Sequence, residues 1–184
     1  MTEAAAVKRV EEQMEGGRQY VTFCLNEELY AIEALVVQEI IELGAITKVP
    51  HLPDFFKGVI NLRGTIIPVV DLKMKFAMHS GEYKKHTCVI VTEFSGGTIG
   101  LIVDAVSDVL SLANEDISDT PSFGAHITTD FMKGMSRMDG NLAIILDIEK
   151  VLSEADTDSL RAIKDMGDVK ATVQQEVKNE FEEF

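Results

Sequence analysis

No stretch of this chain approaches the ~18–20 consecutive apolar residues that a membrane-spanning helix needs. Residues 1–17 lack the basic start and apolar core of a secretory signal, so the expectation is a cytoplasmic protein. Cysteine is scarce. Cys24 and Cys88 are the only two, and they fit reduced thiols in that compartment better than a disulfide framework. Bases are outnumbered, 17 Lys and Arg against 31 Asp and Glu, for a formal net charge of −14. Such a chain repels phosphate backbones and anionic lipid, which argues against a nucleic-acid partner or direct membrane insertion.

Catalytic and metal-binding patterns are missing as well. The four histidines, His51, His79, His86 and His126, lie at no ligand spacing from one another, a cysteine or an acid. HExxH, CxxC, Walker, GxSxG and GxGxxG patterns do not occur. Ser95-Gly96-Gly97-Thr98-Ile99-Gly100 is glycine-rich, but it joins two strand-like runs. A phosphate loop must instead open a helix whose N–H groups meet the anion. Cys24 falls in an apolar strand and reads as a buried, inert thiol. Met132, Met135 and Met138 read as packing. No enzyme, metal site or cofactor is expected.

What is present is a doubled β pattern. Residues 57–72 form two Val/Ile-rich runs about a turn at Arg63-Gly64, closed by Asp71 as a cap for a helix from Leu72 to about Met78. Pro68 cannot donate to a ladder, so its strand is expected at an edge or a bulge. The same grammar returns 76 residues later in residues 133–148, with Lys-Gly, the turn Gly140 and the closing Asp147 in register. Asp71 and Asp147 are candidates for an acid–base pair, but capping accounts for both. Upstream of each copy, Val37-Gln38-Glu39-Ile40 and Val106-Ser107-Asp108-Val109 echo one another at an offset of 69. Units of this size bury small cores, so two copies should pack together and share one.

Further strands are expected at Gln19–Leu25, Glu28–Ile32, Val37–Glu42, Ile46–Val49, Cys88–Phe94, Thr98–Val103 and Ser107–Leu112, with a short helix at 149–154. Residues 1–17 read as a short helix or tail, 79–86 as a polar linker and 113–130 as a long loop. From 154 to 184 an apolar stripe of Leu160, Ile163, Met166, Val169, Val173, Val177, Phe181 and Phe184 predicts an amphipathic helix. That helix either docks over the core or serves a partner.

Function should then lie in surfaces. Arg63 at a hairpin tip is either a solvated turn residue or a planar fork for carboxylates. Glu39 is an outward-facing candidate on its strand and a plausible partner for Arg63.

Asn61-Leu62-Arg63-Gly64 with Ile67-Pro68-Val69-Val70-Asp71-Leu72 resembles the signature of the CheW family of bacterial chemotaxis coupling proteins. Val37-Gln38-Glu39-Ile40, Lys57-Gly58-Val59, Val103-Asp104 and Val106-Ser107-Asp108-Val109-Leu110 add to it. The resemblance covers about residues 18–153 and does not extend past Asp156. It implies a mainly β fold of two SH3-like five-stranded barrels around a shared hydrophobic core. The halves would be about 18–80 and 87–153, with 18–35 and 88–154 each contributing to the other's core. It implies a non-enzymatic adaptor coupling methyl-accepting chemotaxis receptors, through their cytoplasmic tip, to the regulatory domain of the histidine kinase CheA. Such an adaptor works at membrane-associated receptor arrays through its partners. By similarity, Val37, Glu39, Arg63 and Val109 fall at receptor- or kinase-binding positions, and Gly58 joins them, through backbone geometry. A regulatory or fused relative of the same fold is the second reading, and an unrelated enzyme or nucleic-acid-binding barrel the third.

Overall fold

The computed structural model describes residues 17–119, 130–138 and 140–165. Its strands are β1 (Gly17–Leu25), β2 (Glu28–Glu33), β3 (Val37–Glu42), β4 (Phe56–Leu62), β5 (Thr65–Asp71), β6 (Cys88–Phe94), β7 (Gly97–Val103), β8 (Ala105–Ala113), β9 (Met132–Met138) and β10 (Asn141–Leu146). Short helices α1 (Leu72–Lys75) and α2 (Ile148–Val151) follow the two repeated hairpins. A third helix, α3, covers residues 154–165.

The strands form two five-stranded sheets, ordered β8-β1-β2-β10-β9 and β3-β6-β7-β5-β4. Each position in one sheet has its equivalent in the other. In both, an inner hairpin (β1-β2 or β6-β7) pairs antiparallel with an edge strand and parallel with the second hairpin. The sequence repeat is therefore real, but the sheets do not follow the halves 18–80 and 87–153. Each half sends its leading hairpin to the other half's sheet, so β1-β2 joins β8–β10, and β6-β7 joins β3–β5. Side-chain alternation is identical in either arrangement, so only the tertiary pairing reveals the exchange.

Both faces of each sheet bury apolar residues, which explains the unbroken Val/Ile runs. In β6 and β7, Ile90, Ile99, Leu101 and Val103 face a core shared with Val21, Phe23, Leu25, Tyr30 and Ile32 of the other sheet. Val89, Val91 and Ile102 face inward with Ile60, Ile67 and Val69. The other sheet has a matching inner cluster of Tyr20, Ala31, Leu112, Met138, Ala143 and Ile145.

Local differences from the sequence expectations have plain causes. β5 lies between β4 and β7 rather than at an edge. Pro68 is accommodated because the ladder to β7 runs only from Val69 to Asp71. Ile46–Val49 is not a strand; only Thr47 bridges to Val59. The first helix stops at Lys75 because Ala77 turns left-handed (φ 54°). The Ala77 and Met78 amides then close on the Met74 and Lys73 carbonyls, a Schellman ending. The second helix spans Ile148–Val151 rather than 149–154. The tail at 1–16, most of the long loop (120–129) and the stripe beyond 165 lie outside the described residues.

Within the described part, α3 docks on the core. Leu160 and Ile163 are buried, and Leu160 joins the shared cluster. Its start is a capping box: Ser153 Oγ accepts from the Asp156 amide and Asp156 Oδ2 from the Ser153 amide. Asp156 also takes Lys75 Nζ at 2.7 Å, tying α3 to α1. Burial pushes the Asp156 carboxyl up, but Lys75 and the two Ser153 bonds outweigh it and hold it below its ordinary value. A depressed folded pKa stabilises above the unfolded pKa, and that stabilisation is lost as pH falls through the folded one. Asp156→Asn is therefore expected to cost its full penalty at pH 7. The gap from the parent, read by urea melts, should narrow below about pH 4.

Candidate functional site

The turn between β4 and β5 is two residues long, with Leu62 paired to Thr65. Arg63 (φ 50°) and Gly64 (φ 86°) both take positive φ, the type I′ geometry that matches strand twist. Asn61 Oδ1 accepts from the Gly64 amide at 2.8 Å and fixes the turn. The turn holds Arg63 over β3, where its Nη2 donates to both Glu39 oxygens at 2.7 and 2.6 Å. β3 and β4 are opposite edges of one sheet, so this pair clasps the curled sheet across its mouth. Arg63 remains 70% exposed and Glu39 31%. An exposed pair of this kind adds only ~0–1 kcal/mol, so its value is the fixed charge pattern it presents.

The other sequence candidates are placed differently. Val37 begins β3, half-buried against the shared core. Gly58 is buried and offers no side chain to a partner. Its φ is +139°, and a Cβ there would lie 2.8 Å from the Thr47 carbonyl carbon and 2.9 Å from Ile46 Cγ2. It lets the chain cross β4 so that Thr47 and Val59 exchange two hydrogen bonds. Val109 lies in the other sheet, 50% exposed on edge strand β8. The structure thus brings Glu39 and Arg63 together on β3 and its facing turn, near Val37, and leaves Val109 on a separate edge.

The most exposed of the large apolar side chains among the described residues lies where the sheets join. The Ala34–Val36 turn links β2 to β3, and Leu35 within it is 92% exposed. Sequence reasoning passed over Leu35. Its signal was an apolar residue between two strands of different sheets.

Asp71 and Asp147 are caps. Asp147 accepts from the Glu149 amide. Asp71 is fully buried, capping Met74 at 3.3 Å while also accepting from Ser80 Oγ and Tyr83 Oη, both at 2.9 Å. Burial, then the Asp71 bond, pushes the Tyr83 phenol up from its usual range. The two aspartates belong to equivalent strand ends in different sheets and do not form a pair. Cys24 is only half-buried, and its Sγ lies 3.5 Å from Ser107 Oγ. Among the described residues, no group of three His, Cys, Asp or Glu converges as a metal site would, and no helix is long and apolar enough to cross a membrane.

A family model described as the CheW-like domain matches residues 19–156. The chemotaxis protein CheW of Klebsiella aerogenes is 42% identical over 137 residues, covering 74% of this chain and 82% of that protein. That of Treponema pallidum is 32% identical over 148 residues, 77% and 86% of the two chains. Among solved structures, the scaffolding protein TtCheW of Thermoanaerobacter tengcongensis superposes with a TM-score of 0.69 at 36% identity, over 74% of this chain and 88% of its own. The paired sheets, the signature about Arg63 and these likenesses agree: the chain belongs to the CheW family, whose members are chemotaxis scaffolds of two SH3-like barrels and not enzymes.

Proposed function

We propose that this chain is the adaptor that couples methyl-accepting chemotaxis receptors to the histidine kinase CheA. In this reading it works in the cytoplasm, at receptor arrays, and it controls kinase activity through contact alone. The observation that carries the reading is the Glu39–Arg63 clasp. It is a charge pair held in the open at a hairpin tip, one guanidinium nitrogen meeting both carboxylate oxygens, and it contributes little to stability. A surface feature that stabilises so little is suited to partner selection and register.

Val37, Glu39, Arg63 and Val109 are the residues assigned to receptor or kinase contact, with Gly58 acting through the backbone it bends. A receptor's helical tip would lie along the junction near Leu35 and Val37. The regulatory domain of CheA would meet exposed strand edges.

The test is co-sedimentation with kinase and receptor-bearing membranes. Arg63→Asp sets a like charge against Glu39 and is expected to reduce recovered protein about tenfold. Its stability should change by under ~1 kcal/mol. Val109→Asp is expected to weaken capture of receptor fragments with its fold intact. Normal sedimentation of both variants would refute the surface assignment.

A further inference from the structure

At the mouth of the β3–β7 sheet, Glu39 on the edge strand meets Arg63 on the facing turn. The other sheet has the same two positions. Asp108 on β8 corresponds to Glu39: it pairs with Thr22 of β1 as Glu39 pairs with Val91 of β6. The turn residue corresponding to Arg63, 76 positions on, is Asp139. In sequence, then, an acid replaces the Arg of the first repeat, and among the described residues no cation pairs with Asp108 as Arg63 pairs with Glu39.

Among the described residues nothing closes that second mouth. A groove of about 670 Å³ separates β8 from the β9-β10 hairpin. Leu29, Leu110, Met135 and Ile144 supply apolar lining, and Leu142, 59% exposed, stands at the opening. Glu27, Glu28 and Asp108 are the charged residues among its described lining, which holds no Lys, Arg or His. Beside it, β8 is a sheet edge. Its Val109 amide is met by the Asp108 carboxylate of its own strand, at 2.8 Å, rather than by a neighbouring strand.

We infer that this groove docks an arginine-bearing apolar segment of a partner protein, which supplies in trans the guanidinium that Arg63 supplies in cis to the first mouth. The segment lies along β8, sets its cation at Asp108 in a groove whose other charged lining residues are Glu27 and Glu28, and buries its apolar side chains over Leu110 and Leu142. A planar fork can meet both oxygens of one carboxylate, as Arg63 serves Glu39, so arginine should be preferred to lysine. The inference rests on the repeat geometry and the groove, and does not depend on the receptor–kinase reading.

The probe is a fluorescein-labelled synthetic peptide alternating Arg and Leu, with a twin carrying Glu for Arg. Anisotropy titration of the full chain is expected to show saturable binding of the first peptide and none of the second. Asp108→Lys should weaken binding about tenfold or more. Glu42→Lys makes the same change in net charge on the other sheet and should alter it less than twofold. Methyl NMR shifts should centre on Leu29, Leu110 and Leu142. Equal losses from Asp108→Lys and Glu42→Lys, equal binding of the two peptides, or no binding at millimolar peptide would each overturn the proposal.

Discussion

Gly58→Ala is expected to lower the unfolding free energy by about 3–5 kcal/mol. A residue with a Cβ held at φ +139° carries strain of about 1–3 kcal/mol. The new methyl also meets the Thr47 carbonyl and Ile46, which breaks the two hydrogen bonds between Thr47 and Val59, at roughly 1 kcal/mol each. Gly134→Ala is the internal control. Gly134 occupies the same place in the second repeat, and its Cβ would lie 2.7 Å from Ser118 O and 2.6 Å from Ile117 Cγ2. Its φ is not in the positive range, so the strain part is absent and the loss should be smaller. Urea denaturation of both variants measures the difference. If Gly58→Ala melted like the parent yet lost partners, Gly58 would be a contact and the crossing at Thr47 would be irrelevant.

The second large effect is expected from Leu160→Ala. Leu160 is 1% exposed and packs with Phe94, Ile99 and Leu152 in the shared core. Truncating a buried leucine costs about 2–5 kcal/mol. At 184 residues, a loss of about 3 kcal/mol lowers Tm by roughly 6–12 °C, readable by calorimetry. An unchanged Tm would mean that α3 adheres without contributing to the core. The outcome also governs how a truncation at Asp156 is read, since that cut removes Leu160 and Ile163 together. Lost co-sedimentation in the truncated chain indicts a partner-binding role for α3 only if the shortened protein melts like the parent.

Turn chemistry and alternation are local, so they were legible. Arg63-Gly64, the Asp71 cap, the β6-β7 hairpin and the 76-residue echo could be read from the chain. The Glu39–Arg63 pair followed from one outward acid and one tip cation. The exchanged hairpins were not legible, because Val21 or Ile90 alternates the same way against either neighbour. The reason for Gly58 was hidden too, since it depends on where Thr47 crosses. Ser153 and Asp156 held a capping box that sequence reasoning overlooked: serine followed three residues later by an acid, just before the apolar stripe. The open groove had one trace in the sequence, the replacement of Arg63 by Asp139 between copies.

The exchange of leading hairpins makes the chain a domain-swapped homodimer written as one polypeptide. Cut within residues 79–86, it yields two pieces, neither of which holds a complete sheet. Each is expected to be poorly folded alone, and the two should reassemble when mixed, as complementing fragments do. Separating the sheets therefore demands unfolding both at once, so a pull on one partner's surface is borne by the whole molecule.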